Sequence, residues 1–126
     1  MKFHASSNNG RHPFAIFDDE PAWRSDLLQG LLIDADGQED YYLGEIAKGE
    51  AGERITNCYN ELVHLYPFPD VVVIEDMWDL SLGNEQEAEG PPAAMFFPPA
   101  EIKQLILDWM QVRDRWYAER RRAAAN

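Results

Sequence analysis

The sequence predicts an α+β fold, a mostly antiparallel sheet of four to five strands with a long C-terminal helix and one or two shorter helices packed on it. Three observations lead there. Ile102, Leu105, Ile106, Trp109, Val112 and Trp116 recur at helical spacing near the C-terminus. Three short runs rich in aromatic or β-branched residues, at 14–17, 71–74 and 93–97, have the length of strands. Glycine and proline cut the remainder into short pieces.

Taken in order, residues 1–12 are polar and rich in Ser, Asn and His, and read as a flexible lead-in. Phe14–Phe17 reads as a strand. Pro21 suits a first helical position and Gly30 a stop, which predicts a short helix over 21–29. The apolar runs at 31–34 and 41–47 flank a polar connection containing Gly37, the pattern of a hairpin with a long turn. From 53 to 66, Ile55, Cys58, Tyr59, Leu62, Val63 and Tyr66 fall at helical spacing, while β-branched Ile55, Thr56 and Val63 leave a strand open. Pro67 and Pro69 end that segment either way. Val71–Ile74 reads as a central strand, 80–92 as an acidic loop and Ala93–Phe97 as a last strand. Pro98 and Pro99 open the long helix, with Glu101 in its first turn and arginines at its end, each suited to its pole of the helix dipole. Trp109 and Trp116 are expected to form the main helix–sheet contact. No repeat or composition shift marks a second domain, so 1–126 reads as one.

Charge is the strongest global signal. The chain has 11 basic and 23 acidic residues, net −12. Residues 1–100 hold 19 acids and 5 bases, a net of −14, and residues 101–126 hold 4 acids and 6 bases, a net of +2. Phosphate binding needs clustered Lys and Arg, so nucleic acid is not an expected partner. A concentrated negative body instead attracts basic proteins. The single cysteine, Cys58, excludes an internal disulfide framework and fits a reducing compartment. No apolar run reaches membrane-span length and the first residues lack a signal-peptide core, which points to a cytoplasmic protein.

Two acidic segments stand out. D-A-D-G-Q-E-D-Y-Y-L-G-E, residues 34–45, puts Asp34, Asp36, Asp40 and Glu45 at positions 1, 3, 7 and 12 of a calcium-loop register. Position 6, however, is Glu39 where that motif needs glycine, and Leu31–Ile33 is too short and too apolar for an entering helix. D-A-D-G reads better as a turn. The second segment, I-E-D-M-W-D, brings Glu75, Asp76, Trp78 and Asp79 just past a strand. An aromatic anchor among acids suits contact with a basic partner. Glu75, Asp76 and Asp79 also allow a small metal-dependent hydrolase, although no nucleophile elbow, phosphate loop or histidine spacing accompanies them. Cys58 and the histidines have no zinc-ligand spacing. His64 reads as a packing residue. Arg113, near the centre of the last helix's apolar face, reads as a snorkelling or salt-bridged arginine paired with an acid from the sheet.

The segments Y-Y-L-G-E-I (41–46), V-V-V-I-E-D-M-W-D (71–79) and E-I-K-Q-L-I-L-D-W (101–109), set in a small acidic α+β chain, resemble bacterial toxin-immunity proteins. That resemblance implies an inhibitor with no catalysis and no cofactor of its own, which neutralises a basic toxin by covering its active site. The expected partner contacts are Asp34, Asp36, Glu39 and Asp40 at the first acidic segment, and Glu75, Asp76, Trp78 and Asp79 at the second. A structural or adaptor subunit is the remaining alternative.

Overall fold

Phe3–Ser6 (β1) and Phe14–Phe17 (β2) pair antiparallel, Phe3 opposite Phe17, in a computed structural model that describes residues 1–53, 58–59, 61–76 and 94–125. The polar start is therefore a strand and a hairpin loop rather than a loose lead-in. Its Ser and Asn residues are turn formers. Ser7 Oγ accepts from the Gly10 N–H at 2.8 Å, and Asn9 Oδ1 accepts from the Arg11 N–H at 2.8 Å. Phe3 pins the hairpin, its ring 5.5 Å from Phe17 and 6.1 Å from Trp109.

Helix α1 (Ala22–Ala35) does not stop at Gly30. Leu27, Leu28, Leu31, Leu32 and Ala35 are all buried, a helical stripe that continues through the run expected as a strand. Gly30 serves close packing instead: a Cβ there would lie 3.2 Å from Val63 Cγ1 and 3.3 Å from Leu62 Cβ. Gly37, at φ +81°, turns the chain into α2 (Glu39–Glu50), where the second hairpin strand was expected. Tyr42, Glu45, Ile46 and Gly49 form its buried side at i, i+3, i+4 and i+7. Helical spacing was thus present in both runs, and the intervening turn is helix–helix.

The remaining strands form a second antiparallel sheet in the order β3 (Cys58–Tyr59), β4 (Val63–Pro67), β5 (Val72–Asp76), β6 (Ala94–Phe97). Three strands are full length and β3 adds only a two-residue edge, so the single sheet of four to five strands is corrected to two smaller sheets. Of the 53–66 segment, whose spacing is helical but whose β-branched residues leave a strand open, 58–59 and 63–66 are strand, with Val63, Leu65 and Pro67 buried in alternation. The inner face aligns Leu65, Ile74 and Met95 in one row and Pro67, Val72 and Phe97 in the next. Helix α1 packs on β2, β4 and β5, while α2 packs on β4 and α3.

Helix α3 (Pro99–Ala125) opens on a buried proline, where a missing N–H costs nothing. Ile102, Leu105, Ile106 and Trp109 are buried, and beyond Trp109 no described side chain of α3 is fully so. The expected Trp109–Trp116 ridge reduces to Trp109, which meets Phe3 of the hairpin. Trp116 is half-buried, edge-on to Tyr117 at 5.2 Å and covered by the Arg120 guanidinium at 4.5 Å. Among the described residues no helix is long and apolar enough to cross a membrane. Residues 80–92, expected as an acidic loop, lie outside the described residues.

Candidate functional site

The first acidic segment is divided by its own fold. Asp34 falls on the inward side of α1 and is 1% exposed. Its carboxylate accepts from the backbone N–H groups of Leu62 and Val63 at 2.9 Å each and of Glu61 at 3.3 Å. It holds the start of β4 and cannot meet a partner. Glu39, 8% exposed, is likewise withdrawn. Its Oε2 accepts from Arg113 Nη1 at 2.6 Å and from the Gly37 N–H at 3.0 Å. Arg113 is salt-bridged as expected, but to the helix–helix turn rather than to the sheet. Its Nη1 also reaches Asp36 Oδ1 at 2.8 Å, and its Nε and Nη2 lie 3.2 Å from Asp114. Burial alone would lower the guanidinium pKa, but hydrogen bonds to Glu39 and Asp36 outweigh it and hold Arg113 above its ordinary value.

Glu45 pairs with Lys48 at 3.2 Å and Asp40 is exposed in the first turn of α2. The four calcium-register carboxylates of 34–45 therefore face separate surroundings. Among the described residues, no group of three or more His, Cys, Asp or Glu side chains is placed to hold a metal ion. The second segment is divided too. Successive strand residues point to opposite faces. Asp76 stands opposite Val63 in the inward row, and Glu75 stands opposite His64 and Ala94 on the outer face. Glu75 lies near Tyr66, whose hydroxyl pKa is raised by burial first and by this carboxylate second. Glu75 and Asp76 are thus directed to opposite faces of the sheet. Trp78 and Asp79 lie outside the described residues.

What the fold does bring together is the outward face of α1. Asp26, Gln29, Ile33 and Asp36 follow one another at helical spacing. Ile33 is 49% exposed, an apolar side chain off the buried stripe. Two hollows flank it and share Gln29 and Ile33 as their common wall. The smaller, about 170 Å³, lies between α1 and the sheet, with Asp26 and Asp76 on its rim. The larger, about 280 Å³, lies between α1, the residues entering β2 and the middle of α3. Phe14, Leu32 and Trp109 line it, with Asp36, Arg113, His12 and Tyr117 around them. Gln29 Nε2 donates to the Ala15 carbonyl at 2.7 Å, and His12 Nδ1 shares a hydrogen bond with the Tyr117 hydroxyl at 3.3 Å. These two contacts fasten the hairpin to α1 and α3 and give the larger hollow fixed walls.

Of the expected contact residues, Asp36 and Asp76 thus belong to one face, at either side of Ile33. Asp26, Gln29, Ile33, His12 and Tyr117 were not expected. The signal for the first three was the 26/29/33/36 helical spacing, which a strand reading of 31–34 conceals. No family model matches the chain, and neither a curated protein nor a solved structure gives a significant match.

Proposed function

We propose that the chain is a non-catalytic binding module whose α1 face docks on a basic protein, as an immunity protein docks on a toxin it neutralises in the cytoplasm. The observation that carries this reading is the grouping of Asp26, Asp36 and Asp76 around exposed Ile33 between two hollows. Interfaces draw affinity from apolar groups at their centre and draw speed and selectivity from charge at the rim. With a net charge of −12, the whole molecule adds a long-range field that speeds encounter with a positive partner. The resemblance of residues 41–46, 71–79 and 101–109 to immunity proteins supports the same class.

The test is a photo-activated cross-linking residue at position 33 in the native host, with position 96 on the outer sheet face as control. The expected product at 33 is a strongly basic protein, lost when Asp26 and Asp76 are both changed to Lys. Equal capture from both positions, or an acidic partner at 33, would overturn the reading.

A further inference from the structure

We propose that the larger hollow seats one arginine side chain of the basic partner, an inference that rests on the docking reading above. Three features of the hollow point to that occupant. Its volume, about 280 Å³, falls just under the ~300–1,000 Å³ of pockets for drug-sized ligands and suits one long side chain. Its walls include Phe14, Leu32 and Trp109, apolar surface against which the methylene stem of an arginine can lie. Its rim supplies the partner for a guanidinium. The Asp36 side chain is 60% exposed, and Arg113 takes only its Oδ1.

Arg113 lies in the lining, so an anionic ligand must be weighed. One guanidinium there stands within salt-bridge distance of three carboxylates, Asp36, Glu39 and Asp114. The cluster keeps a formal excess of two negative charges, and an entering carboxylate or phosphate would have to displace Glu39 or Asp36 from Arg113. An entering cation need displace neither: Arg113 takes only Oδ1 of Asp36, leaving Oδ2, and the Tyr117 ring is part of the lining. A planar guanidinium suits both better than an ammonium, since it stacks on rings and bonds carboxylates through a fork of donors.

The experiment titrates the ¹⁵N-labelled full chain with N-acetyl-L-arginine amide, and in separate arms with N-acetyl-L-lysine amide and inorganic phosphate. The expected result is saturable shifts confined to the Trp109 indole N–H, the Gln29 side-chain amide and the Gly37 backbone amide. The arginine probe should bind more tightly than the lysine probe. Asp36→Asn, a near-isosteric change at an exposed position, should weaken it about fivefold with the spectrum otherwise unchanged. Saturable shifts with phosphate instead, lysine binding as tightly as arginine, or arginine shifts spread over all exposed acids would each overturn the seat. If the probe leaves the hollow unmoved while position 33 still cross-links a basic protein, the seat fails and the docking reading stands. If the probe saturates the hollow but position 33 captures no basic protein, the docking reading fails and the hollow remains an arginine site.

Discussion

Changing Asp34 to Ala separates a structural carboxylate from a docking one. Asp34 is buried, and its carboxylate accepts from the N–H groups of Leu62 and Val63 at 2.9 Å each, the Val63 bond buried and the Leu62 bond part-buried. The third, from Glu61, is longer and lies nearer solvent. Hydrogen bonds to a charged group contribute ~1.5–3 kcal/mol each, and orphaned buried donors keep their desolvation cost. Counting the two inner bonds and allowing water some access to the Leu62 N–H, the loss is about 4 kcal/mol. That is a large part of the ~5–15 kcal/mol by which a domain is stable. Asp34→Asn retains one acceptor oxygen and should lose about half as much. Asp36→Ala removes an exposed carboxylate and should stay within ~1 kcal/mol of the unaltered protein. Urea unfolding followed by tryptophan fluorescence measures all three. If Asp34→Ala and Asp36→Ala lie within 1 kcal/mol of each other, the assignment of Asp34 to the scaffold is wrong.

Three further perturbations probe the scaffold that presents the face. Gly49→Ala puts a methyl group 2.8 Å from Pro67 Cβ and 2.9 Å from its carbonyl carbon and oxygen, so α2 must move off β4; we expect a loss of ~1–3 kcal/mol in urea unfolding, and an unchanged midpoint would contradict that packing. Arg113→Gln strips the counter-charge from buried Glu39 and should cost ~2–4 kcal/mol, with Glu39→Gln recovering part of it in the double variant; strictly additive losses would show that the two do not act as a pair. Burial first, and the Glu45 charge second, push the Cys58 thiol from 9.0 up to about 12. The folded chain keeps that proton where the unfolded chain releases it, so the thiol's contribution is complete below pH 9 and falls by ~1.4 kcal/mol per pH unit from there towards 12. The hydroxyl of Tyr42, raised mainly by burial, acts in the same direction above pH 10. Urea midpoints at pH 8 and 10.5 should differ, and less so in Cys58→Ala; equal slopes for both proteins would rule the thiol out.

The parts of the fold legible in the sequence are those where local pattern and tertiary packing agree. Pro99, the 102/105/106/109 spacing and the arginine-rich end specify α3 without outside help. Val72–Asp76 and Ala94–Phe97 are short runs with β-branched or aromatic residues and form strands. The errors arose where one residue type serves two purposes. Gly30 looks like a stop, yet it lies inside α1, where Val63 and Leu62 pack tightly against the place a Cβ would take. Phe3, among polar neighbours, gives no strand pattern, and its role depends on Phe17 and on Trp109, which is distant in sequence. The candidate site followed the same rule. Asp36 and Asp76 could be named from charge alone, but Asp34 and Glu39 looked equivalent to them until the helical phase placed them inside. Ile33 became visible as a surface residue only once 31–34 was helix.

The central claim, that the α1 face meets a basic partner under electrostatic guidance, is tested most directly by association kinetics. The protein captured at position 33 would be purified and mixed with the native chain and with the Asp26→Lys/Asp76→Lys variant by stopped flow across a range of ionic strength. We expect the native pair to associate faster by an order of magnitude or more at low salt, with the two rates converging as screening rises towards ~1 M. Rates that are equal at every ionic strength, or a difference that does not shrink with salt, would contradict the account.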